Sequence, residues 1–386
     1  MKRASAILGL ASLAVLLAMV WQPWRPLPPS SLAPTAAPAE TADLSGFARA
    51  LAPRPFRFPE DHGPHLDFQT EWWYYTGNVE TAEGRHFGYQ LTFFRRALAP
   101  GVPDRASSFA TNQIYFAHLA LTDVSRGTHI FDERFSRGAA GLAGASGDPF
   151  TVWLEDWRAE ALNGQGSRLR LRAAEGEIAI DLTLESVKPI VAHGDRGLSA
   201  KSDAAGNASY YLSFTRLRTA GQISVGEQVF TVSGDSWFDH EWSTSALGPQ
   251  AVGWDWFSLQ LSDGRELMFY QIRRADGSVE PVSAGTLVEA DGSARRLASV
   301  DVLLTVSRTW SGPESGGEYP AGWHMQAPEA GIDLTLEPWL EDQEMRLSFV
   351  YWEGAVRVRG TSAGRPIDGN GYVELTGYAE SMQGVL

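Results

Sequence analysis

The chain has 386 residues, of which 44% are hydrophobic and 20% charged, so it can bury a core and does not belong to the disordered class. Lys and Arg total 32 against 46 Asp and Glu, a net charge of −14 that excludes the basic surface needed to bind nucleic acid. Cysteine is absent, which excludes disulfides, thiolate metal sites and a cysteine nucleophile.

Residues 1–22 have the pattern of an export signal or a membrane anchor. Lys2 and Arg3 precede an uncharged, largely apolar run from Ala4 to Trp21. The small-x-small cleavage pattern is poorly formed, so the sequence leaves open whether this segment is removed or retained as an anchor. We expect an exported protein, either periplasmic or anchored in the inner membrane and facing the periplasm. Residues 23–53 are rich in proline and alanine and are predicted to be a linker.

From Arg54 onward, period-two alternation predicts an all-β fold. Apolar and polar residues alternate from Ile178 to Leu184, and comparable runs elsewhere are separated by Asp-Gly turns such as Asp263-Gly264. Long helices are not expected.

A weak internal repeat predicts two homologous β-domains, at residues 54–243 and 244–386. Three motifs recur in the same order: GR with YQL at 84–91 and GR with YQI at 264–272, IDLTLE at 180–185 and 332–337, and GQISV at 221–225 with GAVRV at 354–358. Chance recurrence of strand-like strings is the alternative interpretation. An antiparallel barrel of about eight strands has room for one small apolar ligand.

The segment GDSWFDHEWS, residues 234–243, carries the first candidate catalytic residues. On a strand, His240 and Trp242 face one side while Asp239 and Glu241 face the other. A carboxylate close to a histidine can set its tautomer and its pKa. The alternative is structural, with these groups satisfying one another at a domain junction.

The segment GWDW places Asp255 between Trp254 and Trp256. Because strand side chains alternate, either Asp255 or the tryptophan pair lines a pocket, but not all three. A carboxyl buried among indoles has a raised pKa and keeps a proton available for general acid catalysis. The structural alternative is a salt bridge between Asp255 and a nearby arginine.

The segment FPEDHGPHLDFQTEWWYYTGN, residues 58–78, is a third cluster of charged and aromatic residues, and we expect it to contribute ligand-binding side chains: Glu71, Trp72, Trp73 and Tyr75. Its His62-x-x-His65-x-Asp67 spacing could ligate zinc or iron. The glycine and proline between the histidines favour a loop, and no third histidine with ligand spacing follows closely, so we predict neither a metal nor another cofactor. GTSAG at residues 360–364 has the G-x-S-x-G spacing, but no helix is expected to follow it as in a nucleophile elbow, and no phosphate-binding loop occurs.

At these clusters the chain resembles the carotenoid 1,2-hydratase (hydroxyneurosporene synthase) and AttH-like family of tandem lipocalin-like proteins. The resemblance is carried by DHGPH, TEWWYYTGN, WFDHEWS, GWDWFSLQL and GYVELTGY, the last at residues 371–378. It implies two tandem lipocalin-like antiparallel β-barrels with a site near their junction. The family mixes hydratases, which add water across a terminal isoprenoid double bond without a cofactor, with exported proteins described only as predicted hydrolases.

Carried over residue by residue, the resemblance implies roles for His240, Trp242 and Tyr270. A carboxylate is expected beside that tyrosine, but Gln271, Ile272 and Arg273 follow it here. Asp255 or Asp239 would have to replace it as proton donor. We therefore expect a site between the barrels in which His240 and Trp242 face Tyr270.

Three functions fit these features. One is an enzyme that binds an apolar isoprenoid or lipid and hydrates or otherwise transforms it by acid–base chemistry. The second is a non-catalytic lipid-binding or delivery protein of the cell envelope, associated with a transporter. The third is a structural interaction module. In the first two cases the expected partner is an apolar small molecule or lipid, with membrane anchoring through the N-terminus as a further expectation.

Overall fold

The computed structural model describes residues 44–101, 106–244 and 247–384. The predicted export segment and residues 23–43 of the predicted linker lie outside the described residues. Within the described ranges, no helix is long and apolar enough to cross a membrane. Ordered packing begins before Arg54, because Ala50 is buried in an apolar cluster with Phe68, Tyr210 and Trp242.

Within the described residues, short alternating runs form 23 strands, and helix is limited to three single-turn 3-10 segments, which agrees with the predicted all-β fold. The strands are β1 (Thr70–Glu80), β2 (His86–Ala97), β3 (Gln113–Asp123), β4 (Thr128–Arg137), β5 (Ala143–Gly147), β6 (Phe150–Leu154), β7 (Trp157–Ala161), β8 (Arg168–Glu175), β9 (Ile178–Ser186), β10 (Val191–Ala192), β11 (Leu198–Ala200), β12 (Ala208–Val225), β13 (Gln228–Ser243), β14 (Ala251–Leu261), β15 (Glu266–Arg274), β16 (Ala284–Val288), β17 (Ala294–Ala298), β18 (Leu303–Ser311), β19 (Glu318–Ala327), β20 (Ile332–Pro338), β21 (Glu344–Arg346), β22 (Val350–Ser362) and β23 (Arg365–Thr376). The 3-10 segments are Glu60–His62, Ser299–Asp301 and Pro328–Ala330.

The strands form two antiparallel sheets, which we call the first barrel (β1–β13) and the second barrel (β14–β23). The first sheet curls until β4, at one end, contacts β6, near the other. Arg134 on β4 strengthens this closure, because its Nε donates to Glu175 at 2.8 Å and its guanidinium lies 4.7 Å from the Trp157 ring centroid. The fold is all-β, with tandem lipocalin-like barrels, and the two barrels pack as one compact unit.

Strand order repeats between the barrels. The path β4-β3-β2-β1-β13-β12-β9-β8-β7 in the first sheet corresponds to β17-β16-β15-β14-β23-β22-β20-β19-β18 in the second. The GR/YQ motifs fall on the equivalent strands β2 and β15, and the two IDLTLE copies fall on β9 and β20. The repeat in the sequence is therefore a repeat of topology.

The third pair of motifs, GQISV and GAVRV, lies on the equivalent strands β12 and β22, but the two motifs do not occupy equivalent positions along them. Gly221 pairs with Leu182, and Gly360 pairs with Leu334, the third residues of the two IDLTLE copies. The structural counterpart of Gly221 is therefore Gly360 rather than Gly354. At both positions the neighbouring strand backbone approaches so closely that a Cβ atom would collide with it.

Each barrel has its own apolar core, and a further aromatic layer fills the space between the barrels. The inward faces of the strands supply the two cores, around residues such as Leu182 and Leu334. The layer between them is built from outward-facing side chains of both barrels: Tyr74, Tyr211, Trp237, Trp256, Met268, Tyr270, Ile272 and Tyr372. The outer faces of β1, of β14 and of the second half of β13 are thus buried by the packing of one barrel on the other.

Candidate functional site

A cavity with mainly aromatic walls lies within this layer, and both barrels contribute to it. Its volume is about 80 Å³. Its walls are formed by Trp72, Tyr74, Phe94, Tyr211, Leu247, Trp254, Trp256, Tyr270, Ile272 and Phe349, together with four ionisable side chains, Lys201, Asp239, Glu241 and Glu374. Trp72 and Trp254 are only partly buried.

Strand alternation determines which residues reach the cavity. Trp72 pairs across the sheet with Glu241, and Tyr74 pairs with Asp239, so these four side chains share the outer face of the first barrel. On β14, Trp254 and Trp256 face the cavity from the opposite side. Five residues singled out from the sequence thus meet here: Asp239, Tyr270, Trp72, Trp254 and Trp256.

Asp239 is the most strongly hydrogen-bonded acid of the cavity. Its Oδ2 accepts from the Tyr211 hydroxyl at 2.5 Å, and its Oδ1 accepts from the Trp237 indole at 2.6 Å and from the Ser213 hydroxyl. Burial nevertheless raises the pKa of Asp239 to about 7, because desolvation outweighs these three donors. The carboxyl can therefore hold or release a proton near neutral pH.

Lys201 and Glu241 form an ion pair at the same wall. Lys201 Nζ lies 2.7 Å from Glu241 Oε1, and the two side chains are 11% and 6% exposed. Although burial alone would lower the pKa of Lys201, the neighbouring Glu241 raises it, so the lysine stays charged. Its ammonium group also lies 4.7 Å from the ring centroid of Tyr270.

Glu374 is the second cavity acid with a raised pKa. Its Oε2 accepts a hydrogen bond from the Trp254 indole at 2.8 Å, yet burial raises its pKa to about 7. Glu353 pairs directly with Glu374 across β22 and β23, accepts from the Tyr74 hydroxyl at 2.9 Å, and has its pKa raised well above the usual value by burial. Two carboxyl groups that line the cavity, Asp239 and Glu374, therefore have pKa values raised to about 7, and Glu353 lies next to Glu374 on the neighbouring strand.

Asp255 lies on the other face of β14 from the tryptophans. Its Oδ1 pairs with Arg273 Nε at 2.9 Å, and its Oδ2 accepts from Gln271 at 2.7 Å. Tyr378 also donates to it, at 3.0 Å. Of the two arrangements that the sequence left open, the structure therefore has the one in which Trp254 and Trp256 line the cavity and Asp255 forms a salt bridge with Arg273.

The expectation that His240 and Trp242 face Tyr270 is wrong. Both point away from the cavity, toward the first barrel, because they alternate with Asp239 and Glu241 along β13. His240 stacks on Trp73 with ring centroids 5.1 Å apart. Trp242 stacks face to face on His65 at 3.7 Å.

Glu71, Trp73 and Tyr75 also lie outside the cavity, contrary to their predicted ligand-binding role. They alternate with Trp72 and Tyr74 on β1, so they occupy the inner face of the first barrel. Tyr75 stacks on Phe238 with ring centroids 4.6 Å apart, within that core. Consecutive residues of a strand face opposite sides of the sheet, so Trp72 and Trp73 cannot both line one cavity.

Glu71 organises a buried polar cluster beneath the cavity wall. Its Oε1 contacts His65 Nδ1 at 2.8 Å and His240 Nε2 at 2.9 Å, and its Oε2 accepts from Arg95 Nε at 2.9 Å. Although burial alone would raise the pKa of Glu71, His65 and Arg95 hold it well below its usual range. Burial lowers the pKa of His240, whereas Glu71 and Asp61 outweigh burial and raise that of His65.

The same three side chains, His65, Glu71 and His240, have potential metal-ligand atoms within 4.8 Å of one another. Arg95 places a buried positive charge on the shared carboxylate, which disfavours a cation there. The His62-x-x-His65-x-Asp67 motif does not form a set of metal ligands, because His62 contacts the Gln165 carbonyl at 3.3 Å and Asp67 is exposed. The contacts of the cluster are those of a structural hydrogen-bond network.

Sequence reasoning missed Lys201, Tyr211 and Glu374 as cavity residues, together with Tyr74, Phe94 and Phe349. Lys201 follows the three-residue strand β11, where no alternation marks a face. Glu374 lies inside GYVELTGY, so the motif that carried the family resemblance contained a cavity acid. Glu241 was paired with Asp239 by alternation and could have been added on that signal alone.

Comparison with known proteins places the chain in a family. The model of the AttH-like family matches residues 49–378. The crystal structure of a proposed AttH protein from Nitrosomonas europaea has 35% sequence identity and a TM-score of 0.77, and the match covers 86% of this chain and 100% of that one. Kievitone hydratase from Nectria haematococca has 15% identity and a TM-score of 0.66, over 87% of this chain and 97% of that one, so it shares the fold. No curated protein matches the chain. Because the family model and the Nitrosomonas protein each span most of the sequence, the chain belongs to the AttH-like family.

Proposed function

We propose that the cavity binds the apolar, unsaturated end of an isoprenoid or related lipid, and that Asp239 protonates it in a hydratase-type reaction. The observation that carries this proposal is a carboxyl with a pKa of about 7 inside an aromatic cavity. A general acid works best when its pKa lies near the operating pH, and an ordinary aspartate would be ionised there.

The walls suit the intermediate that such a reaction forms. Proton transfer from Asp239 to one alkene carbon leaves a tertiary carbocation on the other, and the indole faces of Trp254 and Trp256 can stabilise that charge. Water then adds through its oxygen and loses a proton to a cavity carboxylate. The charge of Lys201 is offset by Glu241, so the pair does not present a net positive charge to the cation.

The size of the cavity limits which part of a ligand enters. A volume of about 80 Å³ holds a few water molecules or a small branched group, not a complete polyene chain. An elongated ligand would therefore place only its end between the barrels and leave the rest at the partly exposed indoles of Trp72 and Trp254. A terminal isoprenoid double bond fits this arrangement.

The fold is shared with a protein named kievitone hydratase, and that name supports the reaction class proposed here. The raised pKa values of Asp239 and Glu374 provide independent support, because they arise from residues of this chain.

A second candidate function is non-catalytic binding or delivery of a lipid in the cell envelope. It is favoured by the hydrogen bonds of Asp239, since both carboxyl oxygens already accept from protein donors. A carboxyl held in this way can stabilise the wall without reacting, and aromatic walls bind apolar ligands without chemistry.

Two measurements separate these functions. Native mass spectrometry of protein purified from a cell envelope identifies a bound lipid, and a panel of polyenes and prenylated compounds is then assayed for a mass gain of one water. Asp239→Asn should retain binding and lower turnover by about 10²-fold or more. Asp255→Asn is the matched control, because Asp255 is equally buried but faces away from the cavity. Binding without turnover in the unmodified protein would support the delivery function, and neither binding nor turnover would refute both.

We also propose export to the cell envelope, on the charge and apolar pattern of residues 2–21. Fractionation of cells that express a tagged full-length chain tests this. A purely cytoplasmic pool would contradict it.

A further inference from the structure

A continuous series of hydrogen bonds leads from Asp239 away from the cavity. The Ser213 hydroxyl donates to Asp239 Oδ1, and Ser213 Oγ lies 2.7 Å from His193 Nε2. On the other side of the imidazole, His193 Nδ1 lies 2.8 Å from the Thr286 hydroxyl. All four residues are buried, and the series crosses from the first barrel to β16 of the second.

The donors in this series have one consistent direction. Because Ser213 donates its only proton to Asp239, it must accept from His193 Nε2–H. His193 Nδ1 then accepts from the Thr286 hydroxyl. Burial, with the nearby charge of Lys201, lowers the pKa of His193 to about 3, so the imidazole is neutral and can donate and accept at once.

Thr286 ends the series in a second cavity. This outer cavity has a volume of about 180 Å³ and is lined by Thr286, Ser199, Tyr270, Asp195 and Arg296, among others. Asp195 and Arg296 are exposed, so the outer cavity is in contact with solvent. Its volume is sufficient for several water molecules that could exchange protons with the threonine hydroxyl.

We propose that Thr286, His193 and Ser213 form a proton relay from the outer cavity to Asp239. A proton from water adds to Thr286 Oγ1 as the threonine gives its own to His193 Nδ1. His193 Nε2 passes its proton to Ser213, and Ser213 passes one to Asp239 Oδ1. The net result is one proton taken from solvent and a protonated Asp239, with no change of oxidation state. The relay rests on the proposed function in that Asp239 is the acid it supplies.

The other groups that face Asp239 do not provide this route. Tyr211 and Trp237 donate to the carboxyl, and Glu241 disfavours its ionisation from the same strand. Lys201 is paired with Glu241, and Glu374 faces the cavity from β23 with its own donor, Trp254. These groups set the equilibrium pKa of Asp239, whereas the relay would set how fast its proton is exchanged.

A pH-jump experiment on the unliganded protein tests the relay. The Trp237 indole donates to Asp239 at 2.6 Å, so tryptophan fluorescence should report the protonation of that carboxyl. Stopped-flow mixing from above to below the titration midpoint gives the rate, and Asp239→Asn identifies the phase by removing it. Thr286→Val should slow this phase by about tenfold or more and leave its equilibrium midpoint unchanged. Thr286→Ser, which retains a hydroxyl, should restore the rate.

Thr122→Val is the matched control, because Thr122 is buried and its hydroxyl donates to Gln343 in the second barrel at 2.8 Å. It should leave the phase unchanged. An unaltered rate in Thr286→Val, or no recovery in Thr286→Ser, would overturn the relay and leave Asp239 as a candidate acid. Absence of any phase that depends on Asp239 would overturn both the relay and the proposed donor.

Discussion

Asp239 and His240 are consecutive on β13, yet Asp239 lines the cavity between the barrels whereas His240 contacts Glu71 beneath the cavity wall. Either residue, judged from the sequence, could be the catalytic group of the DHEW motif. Because the two side chains point in opposite directions, Asp239 belongs to the proposed acid chemistry and His240 to the buried hydrogen-bond network around Glu71. We therefore expect Asp239→Asn to lower turnover and His240→Ala to lower stability.

The stability of the protein should depend on pH through Asp239. Its pKa rises from 3.8 to about 7 on folding, so the folded state binds this proton more tightly than the unfolded state does. The resulting stabilisation is present at low pH and is lost as pH rises through this window. The free energy of unfolding, measured by urea titration at a series of pH values, should therefore fall more steeply with rising pH in the unmodified protein than in the Asp239→Asn variant. Parallel curves would contradict the raised pKa.

His240→Ala should lower stability without abolishing ligand binding. The change leaves the buried carboxylate of Glu71 with one partner fewer and removes the stack on Trp73, a loss of about 2–4 kcal/mol in the free energy of unfolding. Chemical denaturation measures the loss, and binding of a fluorescent polyene fatty acid measures the cavity. A loss of binding at full stability would place His240 in the site after all.

Trp256→Ala should weaken binding of the fluorescent polyene fatty acid by about tenfold or more, because it removes an aromatic wall from the cavity. Trp242→Ala is the matched control: Trp242 is a buried tryptophan of the first barrel that faces away from the cavity. Each change should reduce stability by about 3–5 kcal/mol, and only the first should reduce affinity in the folded protein. Equal affinity losses would contradict the assignment of faces.

Lys201→Met should destabilise the protein by about 3–5 kcal/mol, because it leaves the carboxylate of Glu241 buried without its cation. The double variant Lys201→Met with Glu241→Gln should recover much of this loss, since no buried charge remains. A double-mutant cycle by urea denaturation gives the coupling. If the two single changes were additive, the ion pair would not be coupled in solution.

The repeat predicts that Gly221→Ala and Gly360→Ala have similar effects. In both cases the new Cβ would meet the backbone of the neighbouring IDLTLE strand, so each should lower the free energy of unfolding by about 1–3 kcal/mol. Gly164→Ala is the control, because nothing lies within 4 Å of the position its Cβ would take. Opposite signs at Gly221 and Gly360 would contradict their equivalence.

The sequence by itself determined the all-β fold, the tandem repeat and the grouping of side chains by face. These features are local: alternation along one strand separates Asp239 and Glu241 from His240 and Trp242, and it separates Asp255 from Trp254 and Trp256. IDLTLE marked equivalent strands, because strands in equivalent environments need the same pattern of buried residues. The GQISV match was misplaced along its strand, since short alternating strings fit several positions equally well.

Only the tertiary structure decided which face of each strand meets the cavity. From Ser236 to Ser243 both faces of β13 are buried, one by its own barrel and one by the other barrel, so hydrophobicity does not distinguish them. The pairing of Lys201 with Glu241 and the position of Glu374 beside Trp254 depend on strands far apart in the chain. The raised pKa of Asp239 likewise follows from desolvation when two barrels close over it, and no local pattern in the sequence specifies that burial.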